Sequence, residues 1–123
     1  MKPEPRTILF VEDEPLLGEL MTEALTDKGF EVRAVPDAGG ALRFLLSGAE
    51  VDVMFTDIDL GEGMDGVELA KLARELRPML PIVYASGRRT TEQFVQVPGS
   101  IFLPKPYSLN QVDQTLERVS GTK

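Results

Sequence analysis

The chain is predicted to be an α/β fold: a five-stranded parallel sheet wound on both faces by helices. Three features predict it. Short apolar runs rich in β-branched residues have the length of buried strands, stretches of helical period separate them, and Gly, Pro or Asp stands at nearly every junction.

Thr7 to Val11 (TILFV) reads as the first strand, ending at Glu12-Asp13-Glu14. Pro15 suits a first helical turn, and Leu16, Leu17, Leu20, Met21, Ala24 and Leu25 are expected on one apolar face until Gly29 stops the helix. A second strand, Glu31 to Val35, leads to a helix from an Asp37 N-cap to Ser47, its first turn weakened by Gly39 and Gly40. Asp52 to Thr56 forms the third strand, ending in Asp57, and Gly61 and Gly63 mark a loop. Asp65 with Glu68 three residues on is a capping box for a helix through Leu69, Leu72, Ala73 and Leu76 to Arg77-Pro78. Ile82 to Ser86 and Ile101 to Leu103 are the fourth and fifth strands. Between them Thr90 to about Val97 supports only a short or irregular helix, since two threonines open it and Pro98-Gly99 breaks it. Ser108 and Gln111 form a second capping box, before a helix carrying Leu109, Val112, Leu116 and Val119.

The 123 residues suit one domain over 6–120, with loose ends at 1–5 and 121–123. A hydrophobic fraction of 42% with 27% charged residues is that of a folded soluble protein. No segment has the length and apolarity of a membrane span or a signal peptide, so the expected location is the cytoplasm, without membrane insertion. The lack of Cys and His excludes disulfides, thiolate catalysis and the commonest metal ligands and bases, leaving carboxylates, hydroxyls and lysine for chemistry. A net charge of −7 disfavours nucleic acid as a partner and points to protein.

In doubly wound sheets ligands bind beyond the carboxyl ends of the strands. There the sequence places Glu12 and Asp13, Asp57, Ser86 and Lys105. Each alone is an ordinary surface or turn residue; at equivalent ends of neighbouring strands they make a site. Three clustered carboxylates need a compensating cation, and an all-oxygen set suits Mg²⁺, which shares its shell with water and phosphate. Asp57 is placed to act as a nucleophile toward a phosphoryl group, with Lys105 and Ser86 neutralising its oxygens.

Val11-Glu12-Asp13-Glu14, Phe55-Thr56-Asp57-Ile58-Asp59, Met64-Asp65-Gly66, Ala85-Ser86-Gly87 and Lys105-Pro106 together resemble the receiver domain of two-component response regulators, over nearly the whole chain. The resemblance implies a flavodoxin-like sheet of order 2-1-3-4-5. It implies that Asp57 is the phosphoacceptor and that Asp13, Asp57 and the Asp59 carbonyl hold Mg²⁺ (or Mn²⁺ in its place), with Glu12 acting through water. Ser86 and Lys105 match the switch hydroxyl and the phosphate-binding lysine, Phe102 the aromatic that turns inward with the hydroxyl, and Lys105-Pro106 a bond that is commonly cis. Asp59 and Arg88 match the two positions that set autodephosphorylation rate.

By the same resemblance the phosphodonor is a histidine kinase or histidine phosphotransfer protein. The output runs through an unidentified target protein, either directly or as a phosphorelay intermediate, and no substrate turnover is expected. Leu60-Gly61-Glu62-Gly63 departs from the loop common in the family. The weak segment Arg88 to Val97 is expected to become ordered on phosphorylation. A haloacid-dehalogenase-like phosphatase, suggested by Asp57 and Asp59 one residue apart, fits poorly because in that family the acid pair follows the first strand. A flavin-binding module fits less well still, having acids where amide donors are needed.

Overall fold

The computed structural model describes residues 5–87 and 96–120. Five strands, β1 (Thr7–Val11), β2 (Glu31–Val35), β3 (Val53–Asp57), β4 (Ile82–Ser86) and β5 (Ile101–Pro104), form one parallel sheet in the order β2-β1-β3-β4-β5. Four helices are described: α1 (Pro15–Asp27), α2 (Ala38–Leu46), α3 (Gly66–Leu76) and α4 (Leu109–Val119). The predicted segment Thr90–Val97 lies almost wholly outside the described residues, as do Arg88 and both predicted loose ends except Pro5.

Alternation along the strands divides the core in two. Leu9, Val11, Met54, Ile82 and Tyr84 face α2 and α3, whose Ala41, Leu45, Leu69, Ala70 and Ala73 pack on them. Ile8, Phe10, Phe55, Val83 and Ala85 face α1 and α4, meeting Met21, Leu25, Val112 and Leu116. The Phe10 and Phe55 rings stack with centroids 5.2 Å apart. Every residue of β3 and β4 is buried, which is why these strands read as continuous apolar runs.

Both predicted capping boxes are present, with Asp65 accepting from the Glu68 N–H and Ser108 from the Gln111 N–H. Asp37 likewise accepts from the Gly40 N–H, so a glycine expected to weaken α2 sits inside its cap. Gly29 ends the first helix at φ +102°, a conformation that side chains disfavour.

One expectation is corrected. Leu16 and Leu20 are 68% and 55% exposed, and Leu72 and Leu76 of α3 are also exposed in part. Each helix lies on the sheet along a narrower stripe than the leucine pattern implies: Met21 and Leu25 in α1, Leu69, Ala70 and Ala73 in α3.

The order of the strands positions the site. The chain steps outward from β1 to β2, then returns past β1 to β3, so the winding reverses between β1 and β3 and leaves a crevice at their carboxyl ends. Val11 is in register with Thr56, and Asp57 with Ala85.

Candidate functional site

Glu12 and Asp13 leave β1 at this crevice, and Asp57 closes β3 beside them. Strand β3 runs one residue further than the sequence indicates, taking in Asp57 itself, so the strand backbone holds the acid. Glu12 and Asp57 are only 6% and 8% exposed, while Asp13 is exposed. Carboxylate oxygens of all three lie within 4.8 Å of one another.

Lys105, one residue past β5, reaches across the mouth so that its Nζ donates to Asp57 Oδ2 at 3.1 Å. Its own N–H donates to the Ser86 carbonyl at 3.0 Å, and the Lys105–Pro106 bond is cis, as expected. A Cβ added at Gly87 would come into van der Waals contact with the Cβ of Lys105.

A single ammonium does not balance three acids. Burial pushes the Glu12 carboxyl up to about 7, a rise that Asp57 and Asp13 add to and that the Glu14 N–H, donating to Glu12 Oε2 at 3.1 Å, and Lys105 only partly oppose. Burial also raises Asp57, against the hydrogen bond and charge of Lys105. For Lys105 burial acts downward, but the hydrogen bond and charge of Asp57, with the charge of Glu12, carry its pKa above the ordinary lysine value. Tyr107, raised mainly by burial, completes the surround.

The excess of negative charge and the donor set fit a hard divalent cation: three carboxylates and no nitrogen or sulfur ligand, with Glu12 and Asp57 holding their protons more tightly than free carboxyls do. Asp13, Asp57 and Glu12 are the side chains able to hold it.

Ser86 is buried at the end of β4, and its Oγ donates to Asp59 Oδ2 at 3.2 Å. The Asp59 N–H in turn donates to Asp57 Oδ1 at 3.3 Å. The Asp59 side chain is thus part of the site as the partner of Ser86. The family resemblance gives Asp59 a backbone carbonyl and a rate-setting position; its carboxylate, two residues past Asp57, is the signal in the chain for this further part. Phe102 lies half-buried, in register with Tyr84 and packed against the α2–α3 core. Arg88 lies outside the described residues.

The structure adds a residue that the motif reading quotes without a role. The Gly66 N–H donates to the Ile58 carbonyl at 2.8 Å, and a Cβ on Gly66 would collide with the Asp57 carbonyl and Ile58 Cα. Helix α3 therefore starts against the backbone of Asp57, and only glycine permits the approach. Gly61 turns the loop at φ +77° beside the Asp13 carboxylate, in the segment where the sequence departs from the common loop.

Residues 8–117 match the family described as response regulator receiver domain. The nitrogen assimilation regulatory protein NtrX of Azorhizobium caulinodans is 33% identical over 119 residues, which span 94% of this chain and 26% of NtrX. Sensor kinase CckA of Brucella abortus is 31% identical over 92% of this chain and 12% of its own length. This chain thus spans well under half of either relative. A response regulator receiver protein from Sinorhizobium medicae, solved by crystallography, superposes with a TM-score of 0.88 at 39% identity over 95% of both chains.

Proposed function

The chain belongs to the response regulator receiver domain family, and we propose that it takes a phosphoryl group onto Asp57 from a histidine kinase or histidine phosphotransfer protein and passes the resulting state to a partner protein. The observation that carries this reading is the arrangement of a strand-end aspartate beside two further acids, with a lysine ammonium 3.1 Å from its Oδ2.

Asp57 is the nucleophile. One of its oxygens attacks the phosphorus of a phosphohistidine, and the phosphorus–oxygen bond forms as the phosphorus–nitrogen bond breaks and imidazole leaves. Nearly all the catalysis is placement and charge: β3 fixes Asp57, Gly66 buttresses its carbonyl, and the Lys105 ammonium faces the oxygens that gain charge. A divalent cation, Mg²⁺ by its preference for oxygen and phosphate, would be held by Asp13, Asp57 and the Asp59 carbonyl, with Glu12 acting through water. When bound it would neutralise the acids and the phosphoryl oxygens. Ser86 exchanges its bond to Asp59 for one to a phosphoryl oxygen, and Phe102, on the next strand, follows it inward. Asp59 and Arg88 set how long the acyl phosphate lasts.

The charge and the absence of any described helix long and apolar enough to cross a membrane suit action in the cytoplasm through a protein rather than nucleic acid. In a relay role the phosphoryl group would instead move on to a second histidine.

The test is incubation with acetyl phosphate and Mg²⁺, followed by intact-mass measurement. One phosphoryl group is expected, none on Asp57→Asn and none after chelation. Uptake by Asp57→Asn equal to wild type would overturn the assignment. Adding unphosphorylated histidine phosphotransfer proteins separates the two roles, since a relay loses its label to one of them and a terminal switch keeps it.

A further inference from the structure

Between α1 and the edge strand β2 runs a groove of about 630 Å³ that begins at Glu12 and Asp13 and follows the helix nearly to its end. Helix α1 lines it at Pro15, Gly18, Thr22 and Thr26, spaced three to four residues apart, so the groove is elongated over three helical turns. Ala34 and Val35 of β2 form the facing wall. The leucines left exposed on this helix, Leu16 and Leu20, take no part in the lining.

Two features of the groove have no internal explanation. Gly18 stands in the first half of a thirteen-residue helix, where glycine is among the least favourable residues, yet its φ is not positive and a Cβ built on it meets no atom within 4 Å. Neither backbone nor packing requires glycine there; what its missing side chain does is leave a notch in the groove floor. Along the rim Glu19, Glu23 and Asp27 recur at every fourth residue, one per turn. Like charges at this spacing repel, α1 has no Lys or Arg within it, and among the described residues none of the three forms an ion pair.

We infer that this groove receives a basic amphipathic helix of a partner protein, with an apolar side chain seated on Gly18 and Lys or Arg side chains, one per turn, against Glu19, Glu23 and Asp27. Each unexplained feature answers to that occupant. A glycine lets a second helix approach closely, three acids at one-turn spacing match cations at the same spacing on a helix lying alongside, and the apolar floor covers its hydrophobic stripe. The partner surface is separate from the phosphoryl chemistry of Asp57, and its test does not depend on that chemistry.

The experiment titrates the full chain with two synthetic peptides of equal composition. One is a helix with a leucine stripe flanked by a lysine at every fourth position; the other has the same residues arranged so that lysines circle the helix. Saturable binding of the first is expected, with amide shifts at Gly18, Thr22, Ala34 and Val35 and an affinity at least about tenfold above the second. Gly18→Leu, filling the notch, and the triple variant Glu19→Gln, Glu23→Gln, Asp27→Asn should each weaken binding by about tenfold or more, while phosphoryl uptake from acetyl phosphate is unchanged. Equal binding of the two peptides, amide shifts elsewhere, or wild-type affinity in both variants would overturn the inference. So would the same amides shifting with protein concentration alone, which would make a second copy of the chain the occupant.

Discussion

At the scale of single residues, Glu12 and Gly66 carry the clearest consequences. In the metal-free protein the Glu12 carboxyl is raised from 4.5 to about 7, so between those values the folded state holds a proton that the unfolded state has released. Folding stability should therefore fall as pH rises through that window and level off above about 7, and the raised Asp57 acts in the same direction. Lys105, also raised, loses its contribution only as pH climbs past its own value in the alkaline range, outside the window. Denaturant midpoints in chelator-treated buffer should show the slope, and Glu12→Gln should flatten it; an unchanged slope in the variant refutes the assignment. For Gly66→Ala, the gain in helix propensity at the first helical position is below the interior value of about 1 kcal/mol, and the added methyl would enter the Asp57 carbonyl and Ile58 Cα. Relief by backbone shift costs about 1–3 kcal/mol or more and moves the acceptor. Net destabilisation with slowed phosphoryl uptake is expected, measured by thermal melting and acetyl phosphate kinetics.

At the scale of elements, helix ends and helix faces behave differently. Ends are local: the side chain that caps α3 or α4 lies within three residues of the amide it satisfies, so Asp65 with Glu68 and Ser108 with Gln111 could be read directly from the chain. Ser108→Ala should cost about 1 kcal/mol by chemical denaturation, with the site untouched. Replacing Ser108 by Asp, another good cap, should recover most of it. Faces are not local. The leucines at 16, 20, 72 and 76 fit a helical stripe, but whether a position is covered depends on the angle at which the helix lies on the sheet. The same limit hid the groove beside α1, whose second wall comes from β2.

At the scale of the whole molecule, the acid cluster couples ligand binding to folding. Glu12 and Asp13 follow β1, while Asp57 closes β3, and the three meet only when the sheet is formed; a cation bound among them therefore favours the folded state by mass action. Saturating Mg²⁺ should raise the melting temperature, with a gain of about 2.7 kcal/mol at about a hundredfold excess over Kd. Asp13→Asn should remove most of the rise. A melting temperature indifferent to Mg²⁺ in the wild-type chain would mean that the carboxylates do not act together.

The five strands, the ends of the helices and, through strand-end acids, a hydroxyl and a lysine, the place of the site were all legible along the chain. Strand period, caps and turn residues act within a few neighbouring residues, so a linear reading reaches them. The pairing of Ser86 with Asp59, the approach of α3 to the Asp57 backbone at Gly66, and the groove beside β2 at Gly18 emerge in the folded chain alone. Those outcomes depend on distances between segments far apart in the chain, set by how helices seat on the sheet, and no local preference encodes them.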